Sequence, residues 1–191
     1  MNNDASLGVI INAFADALVA VDATKQAHKK FQPGIGPFGE ADAVRAALPY
    51  LCTANQRLFG DARMRRTPDL LLPNTWALEF KLIRPFGDNG KPAEHWSQNV
   101  LHPYRGNTSA LGDCLKLLEN DLTERKGIIV FGYEHTPAQI DLEPAIAGFE
   151  LLARELLHIE LSDRIEERRT ELVHPIHQAV RVFGWEVLGN L

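Results

Sequence analysis

Leu7, Ile10, Ile11, Phe14, Leu18 and Val21 recur at helical spacing, which predicts an amphipathic helix within residues 5–30 that ends in a polar stretch at Lys25 to Lys30. Gln32-Pro33-Gly34-Ile35-Gly36-Pro37 breaks it. A second helix is expected from Glu40 to about Tyr50, and the following 51–58 reads equally as a helix end or as a first strand. The period then changes to two. Leu70-Leu71-Leu72 and Trp76-Ala77-Leu78-Glu79-Phe80-Lys81-Leu82 are short apolar runs joined by Pro73-Asn74-Thr75, the composition of a turn between two strands. On the second run Trp76, Leu78, Phe80 and Leu82 share one face, and Glu79 and Lys81 share the other.

Beyond the hairpin, Pro85 to Asn107 is a long connection containing His95, Trp96, Gln98, Asn99, His102, Tyr104 and Arg105. Loops of that length are often functional, and this one suits either contacts to bases or phosphates or a surface anchored by Trp96 and Tyr104 packing inward. A helix over 109–118 follows, with Ser109 as its N-cap and Asp113 and Lys116 on its exposed side. Gly127 to Tyr133 reads as a strand, 142–157 as a helix and 159–161 as a short strand. Ser162 to Thr170 is charged throughout and is expected to be solvated, and Ala179 to Leu188, rich in Val, Phe and Trp, as a terminal strand.

The hairpin carries the chemistry. It sets Asp69, at the end of one strand, beside Glu79 and Lys81 on its partner, so that two hard oxygen ligands and an ammonium converge, an arrangement suited to Mg²⁺ or Mn²⁺. A divalent ion held there polarises a phosphodiester and acidifies a bound water, which Lys81 could orient or deprotonate if burial moved its pKa towards neutrality. Loss of any of the three is expected to damage chemistry more than folding.

Pro68-Asp69 followed by Glu79-Phe80-Lys81 resembles the PD-(D/E)xK nuclease superfamily. The resemblance spans roughly 34–133 and includes the order of hairpin, helix and strand. It implies an α/β, restriction-endonuclease-like fold with a mixed central sheet flanked by helices, and a Mg²⁺-dependent endonuclease with Asp69, Glu79 and Lys81 as catalytic residues. Asp69 and Glu79 would be metal ligands, with Glu40, at the start of the second helix, as a further one. It also implies DNA as substrate and a homodimer that pairs two active sites on a two-fold symmetric duplex. The chain then divides into an N-terminal helix (1–33), a nuclease-like core (34–133) and a C-terminal helix and strand (134–191) within a single domain. A non-catalytic nucleic-acid-binding or protein-interaction module on the same fold is the alternative, although the intact hairpin trio favours the enzyme.

Composition is compatible with this picture without selecting it. With 191 residues, 45% of them hydrophobic, the chain is long enough for one sizeable core. A net charge of −5 argues against indiscriminate coating of nucleic acid. Local charge matters more. Arg63, Arg65 and Arg66 before Asp69, then Lys81, Arg84, Lys91 and Arg105, with Lys116 on the following helix, offer a basic rim for a phosphate backbone. Cys52 and Cys114 are in no metal-ligand or disulfide pattern and read as two small buried hydrophobes. His174-Pro175-Ile176-His177 is not read as a metal pair, because Pro175 disfavours a helix and no carboxylate stands at a diagnostic spacing. The opening Met1-Asn2-Asn3-Asp4 lacks the basic region of a secretory signal, so a cytoplasmic location is expected.

Overall fold

The strand that carries Glu79 and Lys81, β3 in the numbering below, is buried on both faces, and the architecture is arranged around it. The computed structural model describes residues 5–28, 31–103 and 108–190. In chain order the elements are α1 (Leu7–Ala23), α2 (Glu40–Ala54), α3 (Gln56–Phe59), β1 (Arg63–Met64), β2 (Leu70–Leu72), β3 (Trp76–Ile83), α4 (Gln98–Leu101), α5 (Ala110–Glu119), β4 (Arg125–Glu134), α6 (Glu143–Glu155), β5 (Ile159–Leu161), β6 (Ile165–Arg169) and β7 (Ala179–Asn190). The strands form one seven-stranded sheet in the order β1-β2-β3-β4-β7-β5, with β6 also paired to β7. All pairings are antiparallel except β3 with β4, whose parallel register needs the crossover through α4 and α5. The protein is therefore a mixed α/β structure with an open, mostly antiparallel sheet. Among the described residues no helix is long and apolar enough to cross a membrane.

Side-chain alternation splits the core in two. Trp76, Leu78, Phe80 and Leu82 of β3 join Ile129, Phe131 and Tyr133 of β4 against α1 and α2. Ala77 and Ile83, with Ile128 and Val130, pack on the opposite face against α5 and α6. A central strand with helices on both sides is apolar on both faces, so Glu79 and Lys81 sit in an interior rather than on a solvated one.

Several expectations change. Of the two readings of 51–58 the helical one holds: α2 continues to Ala54 through Pro49, and α3 follows after Asn55. The N-terminal helix stops at Ala23, where Lys25 enters the left-handed region at φ 53°. The charged stretch 162–170 contains β6: its Glu166 accepts from Arg181 at 2.8 Å, its Arg168 pairs with Glu134 at 3.3 Å and its Arg169 reaches Asp16 at 2.8 Å. Charge there serves cross-strand and strand-to-helix pairing rather than solvation alone. Asp113 is buried, not on an exposed helix face, whereas Ser109 caps α5 by accepting from Gly112 N at 3.1 Å. Cys114 is buried and Cys52 half-buried, and both are free thiols. Tyr104 and Arg105, and the Lys29 and Lys30 end of the first predicted helix, lie outside the described residues.

One buried carboxylate fastens the two ends of the chain. Asp22 at the end of α1 accepts from Ile35 N at 2.9 Å and from Val173 N at 2.7 Å. Asp22→Ala strips both amides of their acceptor, and we expect a loss of about 2 kcal/mol in urea unfolding. Asp22→Asn, which keeps one acceptor oxygen, should lose less.

Candidate active site

β3 outruns its neighbour. The β2–β3 register pairs Leu70 with Leu78, so continuing it sets Asp69 opposite Glu79. Past Leu78 the β2-side edge of β3 has no strand to bond to, and carboxylates take over the ladder: Phe80 N donates to Asp69 Oδ2 and Leu82 N to Glu40 Oε2, each at 2.8 Å. Asn99 completes the edge by donating to Leu82 O at 3.1 Å. An unpaired strand edge demands partners for its amides, and here that demand brings two acidic side chains to the hairpin. Glu40 can do this because it opens α2, with Gly39 as the extended N-cap.

Lys81 lies between Asp113 Oδ2, at 2.8 Å, and Glu40 Oε1, at 3.4 Å. Asp113 Oδ1 in turn holds Lys116 Nζ at 2.6 Å. Burial acts to lower the Lys81 pKa, but the Glu40 and Asp113 carboxylates more than offset it, so the ammonium is held above its ordinary value. The expectation of a lysine tuned towards neutrality is not what this charge set produces. In this charge set Lys81 is held as a cation.

Glu79 is the strained member. It is 4% exposed, Oε1 has no hydrogen-bond partner, and its carboxyl lies within hydrogen-bonding reach of Asp69. Burial first, then the Asp69 and Asp113 charges, push it up from 4.5 to about 9. Glu40 is also raised, by burial, against the lowering effects of Lys81 and the Leu82 amide. A buried carboxyl with an orphaned oxygen beside a half-buried one is a donor set that a hard divalent cation would satisfy, and Mg²⁺ is commonly bound through one or two carboxylates plus water.

The structure thus brings Asp69, Glu79 and Lys81 together and adds Asp113. Glu40 reaches Lys81 and the Leu82 amide, and among the described residues the one trio of His, Cys, Asp or Glu side chains whose ligand atoms all lie within 4.8 Å is Asp88, His174 and His177. Arg63, Arg65 and Arg66 are exposed on and after β1, on the approach to Asp69. Lys116 is committed to Asp113, and Arg84 donates to Gly36 O at 2.8 Å, which removes both from a free basic rim. A cavity of about 510 Å³ opens beside Glu40, between Arg84, Asp88, Trp96 and Asn99.

Asp113 was legible only as a charge out of place. It shares a helical stripe with Ala110, Cys114 and Leu117, all buried, and a carboxylate inside an apolar stripe is the signal of a buried charge. Compared with protein-family models, curated proteins and solved structures, the chain has no match.

Proposed function

We propose that this protein is a divalent-metal-dependent endonuclease that hydrolyses phosphodiester bonds in DNA, on a restriction-endonuclease-like version of the mixed sheet. The observation that carries the reading is the buried Glu79 carboxyl, with its unpartnered oxygen, beside the half-buried Asp69 on a free strand edge two residues from a charged lysine. Asp69 and Glu79 would hold Mg²⁺ or Mn²⁺, which supplies Lewis acidity and an acidified water at that spot. Asp69 keeps its position through the Phe80 amide. Lys81, fixed by Asp113 and Glu40, supplies positive charge to a phosphate oxygen as negative charge builds on it. Arg63, Arg65 and Arg66 supply backbone contacts on the Asp69 side, and a homodimer matches two such sites to the two strands of a duplex.

The test is calorimetric titration of Mn²⁺ into the wild type and Asp69→Ala, with plasmid cleavage assayed on the same samples. Metal binding and metal-dependent cutting that both disappear in the variant are the expected result. Metal-independent DNA binding without cleavage would replace the enzyme by a binding module, and neither binding nor cleavage would leave an interaction protein.

A further inference from the structure

Three segments remote in sequence meet behind the cavity: the loop around Gly36, the turn from Phe86 to Asp88, and His174-Pro175-Ile176-His177. His174 and His177 are 0% and 1% exposed and their rings stack at 4.6 Å. His177 Nε2 lies 3.0 Å from Phe86 O, and since a carbonyl only accepts, the ring proton sits on Nε2. That fixes a lone pair on Nδ1, which has no hydrogen-bond partner and lies 3.6 Å from Asp88 Oδ1, an oxygen also without one that is paired only by charge with Arg84 Nη1 at 3.7 Å. His174 Nδ1 faces the amides of Ile176 and His177 at 3.2 Å, the long end of the hydrogen-bond range, and its Nε2 has no partner. One ligand-type atom from each of the three residues falls within 4.8 Å of the others.

Residue 36 must be glycine for its backbone to pack this closely on the His177 ring. A Cβ there would fall onto the His177 ring at Nδ1. Burial lowers the pKa of both imidazoles, that of His177 to about 4, so both are neutral near pH 7, the form in which histidine ligates. A backbone carbonyl taking the far N–H of a histidine is also the usual way a metal-binding ring is oriented.

We propose that Asp88, His174 and His177 form a binding site for a divalent d-block cation of the zinc class, separate from the carboxylate pair on β3. Two nitrogens and one carboxylate oxygen select such an ion over Mg²⁺, and three protein ligands leave one position for water. His177 Nδ1 and Asp88 are the ready ligands. His174 joins through Nε2 in the opposite tautomer, which requires its ring to turn so that the new Nδ1–H leaves the two amide donors from which Nδ1 now accepts. Asp88 also lines the cavity beside Glu40 and Arg84, so the ion ties the wall of that cavity to the buried histidines and to the loop held by Asp22. The inference does not depend on nuclease activity.

The test titrates Zn²⁺ by calorimetry, and Co²⁺ by its visible absorption, into the metal-stripped full chain as wild type, Asp69→Asn, His177→Ala and Asp88→Asn, with circular dichroism confirming the fold. We expect a tight Zn²⁺ equivalent that is retained in Asp69→Asn, and affinity at that equivalent weaker by about tenfold or more in His177→Ala and Asp88→Asn. Should His177→Ala fail to fold, Asp88→Asn decides, since Asp88 is only partly buried and Asn keeps its shape. Zn²⁺ binding unchanged in Asp88→Asn, lost only in Asp69→Asn, or absent from the folded wild type overturns the proposal; absence would assign the three groups to a hydrogen-bonded water.

Discussion

Replacing Glu79 with Gln is expected to stabilise the protein, by on the order of 2 kcal/mol at about pH 8 in EDTA, while abolishing metal-dependent cleavage. The Glu79 carboxyl is buried beside Asp69 and Asp113, with its folded-state pKa raised from 4.5 to about 9. Between those two values the folded chain keeps a proton that the unfolded chain has lost. The folded state binds more protons, so stability is full below the unfolded value and falls as pH rises towards the folded one, by at most about 1.4 kcal/mol per unit. Glutamine keeps the shape, does not titrate, and can donate to Asp69. Urea unfolding in EDTA should therefore give a wild type that weakens from about pH 5 to about pH 9 and a Glu79→Gln variant with a flatter profile. Parallel profiles would mean that Glu79 does not titrate in this window and that the carboxyl pair is not under strain. The opposite signs for stability and activity are the point, because a merely structural glutamate would not gain stability on neutralisation and lose cleavage together.

The same physics explains what the sequence disclosed. Periodicity marked α1 and the β2–β3 hairpin, while apolar composition marked β4 and β7, central strands buried on both faces. The Asp69, Glu79 and Lys81 constellation was legible because hairpin register is local: once Pro73-Asn74-Thr75 turns, Asp69 must face Glu79. Non-local partners were not legible. Asp113 reaches Lys81 only after a crossover helix packs on the far face of the sheet, and Asp88 reaches His177 across 89 positions because the Phe86 carbonyl orients the ring. Charge in 162–170 misled for a related reason: a stretch polar in isolation becomes a strand when β7 supplies an edge and Arg181 a counter-ion for Glu166. Sequence spacing reports contacts within a few residues, whereas a site assembled from several segments depends on the packing that the whole chain achieves.

Lys81→Met is expected to cost about 3 kcal/mol of stability, contrary to the view that the hairpin residues matter to chemistry alone. Its removal leaves Asp113, 3% exposed, with only Lys116 as counter-ion, and leaves Glu40 without its ammonium. Asp113→Leu is expected to cost a similar amount, because it leaves Lys81 buried beside Glu40 alone. A double variant, Lys81→Met with Asp113→Leu, removes both buried charges and fills their space with apolar atoms, so its loss should fall short of the sum of the singles by about 1–3 kcal/mol. Lys116 and Glu40 tolerate this because their side chains are 37% and 31% exposed and reach water. Cleavage should not recover in the double variant, since the positive charge beside Asp69 and Glu79 is still missing. Urea unfolding and plasmid cleavage on the four proteins measure the two effects separately. Additive losses would break the link between Asp113 and Lys81, and recovered cleavage would remove Lys81 from the chemistry. Non-additive stability with uniformly absent cleavage assigns Asp113 the task of positioning the lysine and Lys81 the task of meeting the phosphate.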